Sequence, residues 1–165
     1  MIKINQVIII DTREKKFAHI TEYFQMNGIK TYSHGLEVGD YTLALDRSVV
    51  VDRKAGLHEI YGNLIQQHDR FRRELERAIF LDMRLVFLVE EPAIMRMEDV
   101  ADWRNPRKEI WEKSGRRGKP PVSSLTLMQT MKTISTRYGV EWEFCDKAET
   151  ARRILDILMN GGGLK

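Results

Sequence analysis

The sequence predicts one α/β domain, a mixed β-sheet flanked by α-helices, on three observations. Short apolar runs that end in acidic residues alternate with stretches of helical spacing. A β-hairpin pattern lies between the first two such units and the rest. The 165 residues, 42% hydrophobic and 31% charged, suit a single core of ordinary size.

The first strand is Gln6–Ile10, an apolar run closed by Asp11. A helix follows over Glu14–Met26, with Phe17, Ile20, Tyr23 and Phe24 at helical spacing and Asn27-Gly28 as its stop. Ile29–His34 reads as a second strand. Tyr41–Leu45 and Val49–Asp52 form a hairpin around Asp46-Arg47-Ser48, its second arm rich in β-branched residues. Helices are expected over Leu57–Gln66 and Asp69–Leu81, the second with Phe71, Leu75, Ala78 and Ile79 on one face. Leu85–Val89 is a buried strand bounded by Glu90-Glu91-Pro92. Residues 103–121 show no periodicity and are expected as a basic flexible loop. Helical spacing returns at Leu127, Met128, Met131, Ile134 and Tyr138 and stops at Gly139. A strand over Val140–Phe144 and a helix over Glu149–Met159 complete a domain of residues 1–160, and residues 161–165 read as a flexible tail.

Composition excludes several classes. The balance of apolar and charged residues is that of neither a disordered chain nor a membrane protein. The apolar run Val7–Ile10 is too short for a signal peptide or a membrane span. A soluble intracellular compartment is expected, cytoplasmic or, in a eukaryote, nuclear. Cys145 is the sole cysteine, so an intramolecular disulfide and a cysteine zinc cluster are ruled out. The four histidines, His19, His34, His58 and His68, lack metal-ligand spacing. A bound metal would need carboxylate ligands, which favours a hard cation such as Mg²⁺. The net charge of +3 permits nucleic acid as a partner without arguing for it.

The chemistry is concentrated in Gly39-Asp40-Tyr41 and Asp52-Arg53-Lys54. On a hairpin, Asp40 enters one strand and Asp52 leaves its partner, so both carboxylates can meet at one end of the sheet. Asp52 and Lys54 are two apart on a strand and face the same way. Two carboxylates and an ammonium on one face are what metal-assisted phosphodiester hydrolysis needs. Val49-Val50-Val51 before these charges, and Ile8-Ile9-Ile10 before Asp11-Thr12-Arg13-Glu14, bring both polar clusters out where the sheet ends.

These motifs resemble those of the XPF-type nuclease domain family. Asp11-Thr12-Arg13-Glu14 is similar to its "DxRE", Gly39-Asp40-Tyr41 to its "GDY" and Val51-Asp52-Arg53-Lys54 to the segment holding its "ERK". Arg70-Phe71-Arg72-Arg73-Glu74-Leu75-Glu76-Arg77 resembles its arginine-rich helix, and residues 127–158 its closing helix–strand–helix. The resemblance implies a restriction-endonuclease-like PD-(D/E)xK fold and a divalent-metal-dependent endonuclease. The cofactor would be Mg²⁺, with Mn²⁺ able to substitute, and the substrate DNA, branched, flapped or duplex, in repair or recombination. Asp40 and Asp52 would bind metal with Asp11 assisting, and Lys54 would be the catalytic lysine. Arg53 and Glu14 fall on polar positions of the catalytic set, and Arg13, Arg70 and Arg73 would contact DNA. The family usually carries Glu where this chain has Asp52, and an acid where it has His58, with Glu59 next to it. The resemblance also suggests a homodimer, through the apolar faces formed by Met128, Met131 and Ile134 and by Ile154, Leu155 and Leu158, faces that equally suit the chain's own core.

Between Arg104 and Lys119 seven basic residues face two acids, a local excess of +5 that includes Arg116, Arg117 and Lys119. With Trp103 and Trp111 interleaved, the segment reads either as a grip for phosphates with a platform for an unpaired base or as a solvated loop whose tryptophans tuck into the core. Gln66 and Gln67 are expected as polar groups near the site, and Cys145 as a buried structural thiol. The rival to a nuclease is an inactive nuclease-fold module that binds DNA or a protein partner as a scaffold.

Overall fold

Three isoleucines, Ile8–Ile10, form β1 and are buried on both sides. With β2 (Thr31–Ser33), β3 (Tyr41–Leu43), β4 (Val49–Lys54), β5 (Arg84–Glu90) and β6 (Glu141–Cys145) they make one sheet in the order β2-β1-β3-β4-β5-β6. The computed structural model describes residues 6–161. Pairing is mixed. β1 runs parallel to β2 and antiparallel to β3, the β3–β4 hairpin is antiparallel, and β4, β5 and β6 run parallel.

Alternation along the strands divides the core in two. Val49 and Val51 of β4, with Val86 and Leu88 of β5, pack under α1 (Ala18–Met26) and α6 (Thr150–Asn160). Val50 of β4, with Leu85, Phe87 and Val89 of β5, packs on the other face. There it meets α2 (Leu57–Tyr61), α3 (His68–Phe80) and α5 (Ser124–Tyr138). Fully buried side chains such as Phe87, Ile60 and Leu127 each contribute about 1.5–3 kcal/mol relative to exposure. Ser123 caps α5 by accepting from the Thr126 amide, and Gly139, its predicted stop, ends it in the left-handed conformation. Among the described residues no helix is long and apolar enough to cross a membrane.

Four expectations change. The first helix begins at Ala18 rather than Glu14, because Arg53 binds both the Glu14 carboxylate and the Lys15 carbonyl and holds that segment out of the helix. The helix from Leu57 turns into a π-helix over Gly62–Gln66, closed by the Gln67 amide donating to Gly62 O at 3.1 Å. The unpatterned stretch 103–121 contains α4 (Pro106–Lys113), with Asn105 as its N-cap and Pro106 in its first turn. None of its residues is buried, so it leaves no apolar periodicity to read. Met131, Ile154, Leu155 and Leu158, expected on a dimer face, are buried in the chain's own core, and Met128 and Ile134 pack against it. The predicted tail lies outside the described residues from position 162 onward.

Gly39 turns the chain into β3 with φ +67°, and a Cβ there would lie 2.5 Å from Val50 Cγ2 and 3.0 Å from Val51 O. Gly39→Ala therefore combines left-handed strain with overpacking and should cost about 2–4 kcal/mol of stability. Urea unfolding of the variant checks this. Loss of less than 1 kcal/mol would show that the turn has room to relax.

Candidate active site

The register Tyr41↔Val51, extended by one residue, sets Asp40 opposite Asp52 at the mouth of the hairpin. The Asp40 amide donates to Val51 O at 2.8 Å, and Asp40 Oδ2 accepts from the Arg53 amide at 2.8 Å. Asp52 and Lys54 share a strand face, and Lys54 Nζ lies 2.9 Å from Asp52 Oδ1. Apart from that ammonium, this buried oxygen has no partner. Burial alone would lower the Lys54 pKa, but Asp52, Glu59 and Asp40 outweigh it and keep the ammonium charged. Burial pushes the Asp40 carboxyl well above the usual range, and the charges of Asp52 and Glu14 push it further.

Arg53 points to the opposite side of β4 and is buried. Its guanidinium grips Glu14 through Nη2 (2.8 Å) and Nε (3.0 Å) and reaches Glu90 Oε2 at 3.3 Å. Glu90, at the end of β5, also meets His19 Nε2 at 2.8 Å and accepts from Thr150 Oγ1 at 2.9 Å. The network clamps β4, β5, α1 and the Glu14 segment behind the acid pair. His19, which lacked any partner motif, is part of it. Asp11 is buried and occupied. Oδ1 accepts from the Leu36 amide at 2.7 Å, and Oδ2 from Arg13 Nε at 2.9 Å and the Arg13 amide at 3.1 Å. Burial raises its pKa, but these donors together bring it below the ordinary value.

A cleft of about 570 Å³ opens over these groups. Asp11, Glu14, Asp40, Asp52, Lys54, Glu59 and Glu74 line it, with Arg13, Lys15, Lys16, Arg70, Arg73 and Arg77. The arginines are exposed, so an acidic floor lies beneath basic side chains. Arg70, Arg73, Glu74 and Arg77 share one face of α3, while Phe71, Leu75 and Ala78 of the same helix are buried. That i, i+3, i+4, i+7 spacing is legible in the sequence and would have found Glu74 and Arg77, which motif reading missed. Glu74 Oε1 accepts from the Gly39 amide at 3.2 Å. Burial, then the charge of Asp52, pushes its pKa up to about 7. Glu59 reaches the cleft, 3.9 Å from Lys54 Nζ, whereas His58 is exposed and does not line it. A side pocket of about 210 Å³ continues from Lys54, Glu59, Arg70 and Glu74 to Asn63 and Gln67 of the π-turn region. Arg116, Arg117 and Lys119 do not line the cleft.

The donors suit a hard cation. Asp40 and Asp52 are paired carboxylates, the second with a buried oxygen whose partner is the Lys54 ammonium alone, and their proximity costs free energy that a further positive charge would relieve. Among the described residues no three His, Cys, Asp or Glu side chains form a ready-made metal cage. Two carboxylates with water completing the shell is the way Mg²⁺ is commonly held.

Two acids and a lysine at the end of a mixed sheet's hairpin match the PD-(D/E)xK pattern. A sequence model of the ERCC4 domain matches residues 10–157, and the chain belongs to the ERCC4 domain family. Its fold is the XPF nuclease fold, as the motifs led one to expect. It superposes on XPF from Aeropyrum pernix with a TM-score of 0.63 and 19% identity, covering 96% of this chain and 62% of that one. For XPF from the same organism in complex with DNA, the TM-score is 0.62 and the identity 17%, covering 94% of this chain and 64% of that one. The chain thus spans less than two thirds of those chains, and at such identities the likeness is one of fold. No curated protein matches the sequence.

Glu74 makes the acidic floor measurable. Its pKa rises from 4.5 to about 7 in the folded state, so the native protein holds an extra proton between those values. The stabilisation linked to this proton is complete below pH 4.5 and lost as pH rises to about 7. Thermal melts in chelator across this range should show Glu74→Gln with a flatter pH dependence than the parent. Parallel profiles would remove Glu74 from the cluster.

Proposed function

We propose that this chain is a divalent-metal-dependent DNA endonuclease that hydrolyses phosphodiester bonds, with branched, flapped or forked DNA as its preferred substrate. The observation that carries this reading is the meeting of Asp40, Asp52 and Lys54 beneath the arginines of α3. Family membership and the DNA complex of the Aeropyrum pernix relative support it. Arg13, Arg70, Arg73 and Arg77 receive phosphates of the DNA backbone, a mainly electrostatic and salt-sensitive interaction. Asp40 and Asp52 hold Mg²⁺ or Mn²⁺. The bound cation supplies polarisation of the phosphate and a lowered pKa for water.

Lys54 keeps its charge and stands where negative charge grows as the phosphate is attacked. Asp11 acts through structure, holding Arg13 and the Leu36 backbone in place. Glu14 and Arg53 position the end of β4 from behind. Glu74 is the cleft's further carboxyl, with Glu59 beside Lys54.

Asp52→Asn should abolish metal-dependent cleavage, because it keeps the side chain's shape beside Lys54 and removes the charge that would hold the cation. Lys54→Met should retain metal binding and most DNA affinity, while the single-turnover rate falls by on the order of 10²–10³. Cleavage of flap, fork, junction and plain duplex in Mg²⁺ and Mn²⁺, with calorimetric metal titrations, checks both. Wild-type rates for Asp52→Asn would sink the assignment. If Lys54→Met loses binding and rate equally, Lys54 is a docking residue. A parent protein that binds these DNAs and cuts none of them is a scaffold.

A further inference from the structure

We infer that the groove between the π-turn and the 120–122 segment, charged by Arg107 and Lys119, is a second contact for the DNA backbone. It takes phosphates of the strand that leaves the cleft. The inference rests on the DNA-nuclease reading above and adds to it a surface away from the cleft. The groove has a volume of about 290 Å³. Tyr61, Ile65, Pro120, Pro121 and Val122 give it apolar walls, Arg107 and Lys119 give it charge, and no acid lines it among the described residues.

Two observations point to a polyanion. The first is the sorting of charge on α4. Positions 104–119 hold seven basic residues and two acids, Glu109 and Glu112. Both acids line the neighbouring groove, which shares the two prolines, and there Asp102 joins them against Arg104 and Lys108. Successive helix residues are about 100° apart, so Glu109 and Glu112 fall on the half of α4 turned away from Arg107. The acid-lined side therefore disfavours a phosphate backbone, and the Arg107 side attracts one.

The second observation is that both cations are uncompensated. Among the described residues neither Arg107 nor Lys119 makes an ion pair, whereas Arg72 of α3 pairs with Asp69 and Glu76. Arg107 is nonetheless held in place. Its Nη2 donates to Gln66 Oε1 at 3.3 Å, and its guanidinium lies 5.3 Å from the centroid of the Tyr61 ring. Both partners are neutral, so the side chain is ordered while its charge stays open to a phosphate. Ordering ahead of binding lowers the entropic cost of the contact. Tyr61 OH accepts from the Val122 amide at 2.9 Å and fixes the opposite wall.

The groove continues the basic surface of the cleft. Arg70 lines both the cleft and the side pocket, which reaches Gln67 beside the π-turn. Gln66, next in the chain, holds Arg107. A backbone that leaves the cleft past Arg70 thus meets Arg107 and then Lys119.

The test is DNA binding over a salt series in chelator, beside cleavage in Mg²⁺. Each phosphate contact removed lowers the log–log slope on duplex by about 0.9, so Arg107→Gln with Lys119→Gln should lower it by about 1.8. With affinities that converge near ~1 M salt, the loss at ~0.15 M is about 30-fold. The matched pair Arg104→Gln with Lys108→Gln removes the same charge from the acid-lined groove and should keep the parent's slope. Lys119 makes no side-chain hydrogen bond among the described residues, so Lys119→Gln alone should lower the slope by about 0.9 with the fold untouched. Melting curves identify a variant that has unfolded. An unchanged slope in the first pair, an equal fall in the matched pair, or a loss confined to binding of oligoglutamate would overturn the proposal. A parent that cuts nothing while the two pairs differ in slope overturns the nuclease reading and leaves the groove standing; cleavage with equal slopes does the reverse.

Discussion

Asp40 is held by three hydrogen bonds of 2.8 Å each. Its amide donates to Val51, its carbonyl accepts from the Asp11 amide, and its carboxylate accepts from the Arg53 amide. Together they fix the ends of β1, β3 and β4 in one register. Alternation does the rest, sending Asp52 and Lys54 toward α3 and Arg53 toward α1. A slip of one residue would exchange the faces, sending Asp52 toward the core under α1 and α6 and the Arg53 side chain toward α3. Gly39 is part of the same constraint, because only a residue without Cβ lets the turn approach Val50 and Val51 this closely.

Behind the acid pair the protein keeps a second set of buried charges. One guanidinium serves Glu14 and Glu90, and Glu90 is shared with His19 and Thr150. A network of this kind adds little net stability against an apolar replacement, yet breaking it leaves an uncompensated buried charge and costs about 3–5 kcal/mol. Its effect is therefore on location. It ties the end of β5, the start of α6 and the Glu14 segment to the strand that carries the acids, so the site is supported from both faces of the sheet.

The strands other than the exposed β2, and the buried helices, were legible because each turns an apolar stripe or run toward one of the two cores. The acid pair was legible too, since a hairpin places Asp40 and Asp52 together whatever its twist. Glu74 stands among the many charges of α3, and only its helical spacing with Arg70, Arg73 and Arg77 marks the face that lies over the hairpin. Asp11 reads as a ligand by position, but its oxygens are taken by Leu36 and Arg13. Proximity in sequence to a strand end does not reveal such backbone claims. The apolar stripes of α5 and α6 left core and dimer face open, because such a stripe looks the same whether it covers its own sheet or another subunit; here they cover the chain's own core. The π-turn was invisible for a different reason: its side-chain spacing barely departs from that of an α-helix over five residues.

α4 is anchored by its cap and by contacts at its rim while burying none of its own side chains. Its residues therefore carry little of the free energy of folding, and substitutions on its surface leave both cores intact. Selection can rewrite this segment at small thermodynamic risk while the sheet and its acids stay fixed. The fold thus separates the sheet that carries the acids from an outer element whose surface is free of the core's packing constraints, and divergence among chains built on this plan has room to accumulate there first.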